Sequence, residues 1–179
     1  MTQETVKVAI QKMAANVQSN PKQARLTYKA RTRWEGDVRC TSRVRNFEPM
    51  VIDEPSAFGG GDAAQSPADL ILTALGACQE IMYSALASVM DIKLEECSVD
   101  LTGHLDLHGL LGMGKDKDIP PGFTAIEFKA NIVSPASQER LQALVDAVES
   151  QCPILDTLQR NIDVKGTAVL NGTEYAARL

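Results

Sequence analysis

The sequence predicts an α+β fold, with strands grouped around two apolar helices and no regular strand–helix alternation of the kind that builds a parallel sheet. Three observations carry this. Two stretches with apolar residues at helical spacing each follow a Ser-Pro pair, Ser66-Pro67 and Ser134-Pro135, where serine suits a helix cap and proline the first helical position. Other stretches alternate apolar and polar residues with a period of two, the mark of a strand with one wet face. The resulting order is helix, strands, helix, two strands, helix, strand.

Taken along the chain, Val6, Ile10, Met13 and Val17 sit at helical spacing, and Asn20-Pro21 ends that helix. Residues 1–24 thus form an N-terminal helical extension and 25–179 the main domain. From Arg25 the period becomes two: Leu26, Tyr28, Ala30, Thr32 and Trp34 share one face, Arg25, Lys29, Arg31 and Arg33 the other. Glu35-Gly36-Asp37 is a turn, Val38 to Phe47 a second strand, and Met50-Val51-Ile52 a short third one. Gly59-Gly60-Gly61-Asp62 permits a tight or mobile backbone. The helix opened by Ser66-Pro67 runs to about Met90 and is apolar nearly all round, which places it at the centre of a core. Val99, Leu101, Leu105 and Leu107 mark the next strand, 109–122 reads as an exposed loop, and Ile126, Phe128, Ala130 and Ile132 mark the returning strand. After Ser134-Pro135, Leu141, Leu144, Val145 and Val148 form a stripe that Cys152 continues, about 20° off at 100° per residue. Pro153 breaks that helix, a short helical turn follows to Arg160, and Ile162, Val164, Ala168 and Leu170 suggest a last strand.

A helix as apolar as 67–90 is hard to cover with one small sheet, so a second copy of the chain is expected against it. The chain carries a formal charge of -5, which disfavours nucleic acid. The basic stretch from Lys22 to Arg45 alternates in strand fashion and reads as a solvated face. No membrane span and no secretion signal are expected, which makes the cytoplasm the default location.

In a reducing compartment four cysteines do not read as a static disulfide framework, and Cys40, Cys78, Cys97 and Cys152 have neither CxxC nor zinc-type spacing. No metal is expected: His104, Asp106 and His108 share a strand face, but a wet one. Cys78 and Cys152 continue the core-facing stripes of the two principal helices. Position alone fits small buried hydrophobes, and Cys40 and Cys97 are read so. A redox role for Cys78 needs an activator, because the thiolate is the reactive form. The cysteine lies too deep in its helix for the N-terminal dipole to act, so a cation from the strands is required. Arg39, Arg43 and Arg45 share one parity there, and Arg43 and Arg45 are the preferred candidates.

Trp34-Glu35-Gly36-Asp37, the glycine-rich approach, Ser66 to Cys78 (SPADLILTALGAC) and Ser150 to Ile154 (SQCPI) resemble the OsmC/Ohr proteins over roughly residues 25–170. The resemblance implies an OsmC-like fold: an intertwined homodimer with two long central apolar helices wrapped by antiparallel sheets from both chains. It implies a peroxiredoxin-like activity in oxidative stress defence, the reduction of organic hydroperoxides. Cys78 matches the peroxidatic cysteine and Cys152 the resolving one, a dithiol such as a lipoyl group restores the pair, and no cofactor is involved. Two positions depart from the pattern. The family's glutamate ten residues before the reactive cysteine is Ala68 here, and its arginine about twenty residues before is replaced by Ala57-Phe58-Gly59. The chain therefore resembles a divergent branch. The competing reading is a non-enzymatic OsmC-like module that binds a small ligand or senses redox state.

Overall fold

The computed structural model describes residues 2–114 and 118–176. In chain order they form α1 (Gln3–Ser19), β1 (Arg31–Gly36), β2 (Arg39–Arg43), β3 (Met50–Ile52), α2 (Pro67–Val89), β4 (Glu96–Leu105), α3 (Leu107–Leu110), β5 (Phe123–Val133), α4 (Gln138–Gln151), α5 (Pro153–Gln159), β6 (Thr167–Leu170) and β7 (Thr173–Ala176). The strands make three separate antiparallel sheets, β1-β2-β3, β4-β5 and β6-β7. The α+β class holds.

The start of α2 is fixed by its own sequence. The Ser66 hydroxyl accepts from the Asp69 N–H while the Asp69 carboxylate accepts from the Ser66 N–H, a reciprocal cap that satisfies two otherwise unpaired donors. Pro67 occupies the first turn, where its missing N–H costs nothing. Leu75, Gly76, Gln79, Tyr83, Ala87 and Ser88 make the buried row of the helix. Tyr83 and Ala87 pack with Ile92, Leu144 and Val148, and Leu75 packs with Cys152 and Leu155, so α4 and α5 close over α2 in two adjoining clusters. On the β4 side, Gly76 lies against Leu101 so closely that a Cβ would stand 2.7 Å from its methyl carbon. In length and composition α2 would suffice to cross a bilayer. Here its polar Gln79 and Ser88 are part of a packed protein core.

The approach to α2 is tight. Asp53 is buried, and its carboxylate accepts from the N–H groups of Glu54, Gly61 and Ala63. These bonds, that to Ala63 foremost, hold its carboxyl below the ordinary value. A carboxylate whose pKa falls on folding contributes stability present above its unfolded pKa and lost as pH drops through the folded one. Gly60 runs directly over the Glu54 carbonyl, where a Cβ would stand 1.7 Å from the oxygen.

Five expectations need correction. The second strand ends at Arg43, so Val44 to Phe47, Arg45 among them, lie outside it. Residues 25–30 lie outside the strand, because β1 has a hydrogen-bonded neighbour only from Arg31 onward, opposite Arg43. Segment 109–122 is not simply an exposed loop: it opens with α3, and Gly109 and Gly114 are buried against Ile119 and Pro120. Ser134-Pro135 does not start α4. The Ser134 hydroxyl donates to the Lys93 carbonyl, while Ser137 caps the helix by accepting from the Arg140 N–H. The C-terminal strand is a hairpin, β6-β7, turned by Asn171 and Gly172, both at positive φ; an Asn-Gly pair is the usual two-residue hairpin turn.

The single chain leaves much apolar surface open. Its accessible area is 13587 Å², against about 8,500 Å² for a compact folded chain of 19.4 kDa. Ile81 on α2 is 68% exposed, and Tyr28 and Trp34 are exposed as well.

Candidate functional site

Two sulfur atoms meet where α2, α4 and α5 converge. On α4, Leu144, Val148 and Cys152 recur every fourth residue and are fully buried, so the stripe that builds the core also delivers Cys152 to it. Cys152 ends α4 and caps α5, with Pro153 at the first position of α5. Its Sγ donates to the Sγ of Cys78 at 3.5 Å, and both thiols are free. Cys152 is 0% exposed, whereas Cys78 is only partly buried. Solutes therefore reach Cys78 first.

The surroundings are apolar: Leu75, Met82, Leu101, Ile126, Phe128 and Ile154 pack around the pair. Burial accordingly pushes the Cys78 thiol up, and the Cys152 thiol pushes it further in the same direction. One influence opposes them, that of the backbone N–H of Ile154, which lowers the Cys78 thiol. Ile154 belongs to the first turn of α5, whose N–H groups have no partner within the helix. The donor comes from a helix start and not from the strands, where the sequence places the candidate cations. Pro153 ends α4 and a short helix follows, as the sequence predicts, and that second helix start is the signal for the donor.

The arginines lie elsewhere in the chain. Arg31, Arg33 and Arg43 line a groove of about 290 Å³ with Glu35 and Thr41. Arg45, at φ 52, stacks its guanidinium 4.6 Å from the Phe47 ring centre. Arg39 acts on the buried Asp53. Among the described residues no arginine acts on Cys78. Within one chain the structure thus brings Cys78 and Cys152 together and does not bring Arg43 or Arg45 to them. The acidic residues near α2 are also committed, Asp69 to its cap and Asp53 to backbone N–H groups.

A cavity of about 470 Å³ opens between α2, β5 and α5, and neither cysteine is in its lining. Ile71, Leu75, Ile126, Phe128, Leu155 and Leu158 are among its walls. Leu75, Ile126, Phe128 and Leu155 also belong to the cluster that holds the thiols, so one apolar wall separates the cavity from the pair. His104 is near Glu127 at 3.8 Å and His108 contacts Asp106 at 2.8 Å. Among the described residues no group of three metal-binding side chains forms.

The family profile described as OsmC-like protein matches residues 59–166. Among solved structures, an OsmC-like protein of Mycoplasma pneumoniae is 21% identical over 75% of this chain and 88% of its own, with a TM-score of 0.64. An organic hydroperoxide resistance protein OsmC of Legionella pneumophila is 22% identical over 78% of this chain and 95% of its own, with a TM-score of 0.57. An OsmC-like protein of unknown function from Vibrio cholerae is 12% identical over 75% and 95%, with a TM-score of 0.62. No curated protein sequence matches the chain.

Proposed function

Because the chain belongs to the OsmC-like protein family, in which structural relatives carry the name of organic hydroperoxide resistance proteins, we propose that it reduces organic hydroperoxides through a thiol–disulfide cycle of Cys78 and Cys152. The observation that carries this reading is the 3.5 Å contact between one accessible and one sealed sulfur. The Cys78 thiolate attacks the O–O bond of the hydroperoxide; that bond breaks, the alkoxide takes a proton and leaves as an alcohol, and Cys78 becomes a sulfenic acid. The Cys152 thiol then condenses with it, forming the S–S bond and releasing water. An external dithiol of the lipoyl type reduces the disulfide by exchange. The apolar surroundings of the thiols favour alkyl hydroperoxides over hydrogen peroxide.

The active form in this proposal is a homodimer in the cytoplasm. The support is physical: the chain exposes about 5,000 Å² more than a compact monomer of its mass, about 10,000 Å² for two copies, which exceeds an ordinary obligate interface and suits an intertwined pair. The second copy covers the open face of α2 around Ile81 and carries Arg43 or Arg45 to Cys78 across the interface.

Cumene hydroperoxide with dihydrolipoamide as reductant tests the activity. Wild-type protein is expected to turn over, and Cys78→Ser to lose about 100-fold or more, since no other thiol has a partner in contact. Equal rates for the two proteins would remove the peroxidase reading. A second reading, a ligand-binding or redox-sensing module, draws on the upward push that burial gives the Cys78 thiol; it predicts occupancy of the 470 Å³ cavity without turnover in the same assay.

A further inference from the structure

Directly after Cys78, Gln79 is 0% exposed, and neither its amide nitrogen nor its amide oxygen has a hydrogen-bond partner among the described residues. A buried amide left so is destabilising, a cost that an apolar residue of like size would avoid. Its neighbours one turn away on the same row locate it. Leu75 packs on Cys152 and Leu155, and Tyr83 packs on Leu144 and Val148. Gln79 therefore sits on the α2 row that faces α4, one turn from the Leu75 that packs on Cys152. Near the two sulfurs it is the buried polar side chain with both a donor and an acceptor to spare.

The redox cycle proposed above creates a need at this spot. When Cys152–SH condenses with Cys78–SOH, the S–S bond forms, the S–O and S–H bonds break, and the thiol proton ends on the departing hydroxyl as water. The attacking sulfur has no contact with solvent, whereas the oxygen leaves from the partly open Cys78. In that sealed place Cys152 must release its proton while its sulfur gathers negative charge, tasks for which an accepting amide C=O and a donating amide N–H are suited. We propose that Gln79 is a catalytic residue for the resolving step: its amide turns to the Cys152 sulfur, the C=O accepting from the S–H and the N–H steadying the charge as the proton passes to the departing hydroxyl, and so sets how fast the sulfenic acid of Cys78 closes to the disulfide. This inference rests on the two-cysteine reading and extends it to a residue that touches neither the peroxide nor the reductant.

Gln79→Met, close in volume and apolar, is the direct test. Reduced protein is mixed with one equivalent of cumene hydroperoxide in the presence of dimedone, which captures sulfenic acid. The ratio of captured Cys78 to Cys78–Cys152 disulfide is then read by mass spectrometry. The ratio is expected to rise about tenfold over wild type, with a melting temperature equal to or above wild type because the unpaired amide is gone. Gln79→Glu serves as a second variant. Its neutral acid offers the same donor and acceptor, so its ratio should return toward wild type as pH falls, relative to Gln79→Met at the same pH. A wild-type ratio in Gln79→Met overturns this inference alone. Failure of wild-type Cys78 to be oxidised at all overturns the peroxidatic reading and this inference with it.

Discussion

Cys152→Ser is expected to turn a cycling enzyme into one that oxidises once and stops. In the proposed cycle the sulfenic acid on Cys78 meets a thiol already 3.5 Å away, and closure to the disulfide protects it. Without that thiol, Cys78 stays partly open to solutes, and a second peroxide carries it to the sulfinic acid, which dithiols do not reduce. Steady-state turnover with a dithiol should fall by about 100-fold, and mass spectrometry should find two added oxygens on Cys78. Serine also places a hydroxyl in a fully buried apolar site, so Cys152→Ala is the companion variant; it leaves a small void but no unpaired polar group. Both should show the same over-oxidation. Sustained turnover in either one would mean that Cys152 is a packing residue and that the reductant attacks the sulfenic acid directly.

The second large effect concerns the arginines. Burial and the Cys152 thiol raise the Cys78 thiol, and the Ile154 N–H only partly offsets them. A raised thiol means less thiolate at neutral pH, hence slower reaction. The homodimer proposal supplies the missing charge, an arginine that lowers the Cys78 pKa. Light scattering at micromolar concentration should therefore give twice the chain mass. Alkylation of Cys78 by iodoacetamide should run to higher pH in Arg43→Ala or in Arg45→Ala, with the neutral-pH rate several-fold below wild type. Alkylation profiles identical to wild type in both variants would leave the Ile154 N–H as the activating group, and a stable folded monomer would remove the dimer.

How much of this was legible in the sequence follows from which signals are local. The cap of α2 is spelled out by Ser66-Pro67-Ala68-Asp69, and the structure uses each part of it. The row Leu144, Val148, Cys152 is written in the spacing of one helix, and its coincidence with the Cys78 helix made the thiol pair readable. Less local features were not. The extent of β1 depends on a neighbouring strand that ends at Arg43, although alternation continues back to Arg25. Ser134-Pro135 and Ser137 both look like helix starts, and the Lys93 carbonyl, distant in sequence, decides between them. Asn171-Gly172 did carry a readable hairpin signal that went unused. Gln79 could not be singled out, because a glutamine in a helix is unexceptional until its burial is known.

The central claim is that Cys78 and Cys152 are the two ends of one redox couple, and a stoichiometric oxidation tests it most directly. Fully reduced protein receives one equivalent of cumene hydroperoxide, the remaining thiols are blocked by alkylation, and the digest is read by mass spectrometry. The account predicts a peptide pair joined through Cys78 and Cys152 in near-quantitative yield, with Cys40 and Cys97 alkylated. Cys152 recovered fully alkylated, whether Cys78 is untouched or has gone to the sulfinic acid, would contradict it.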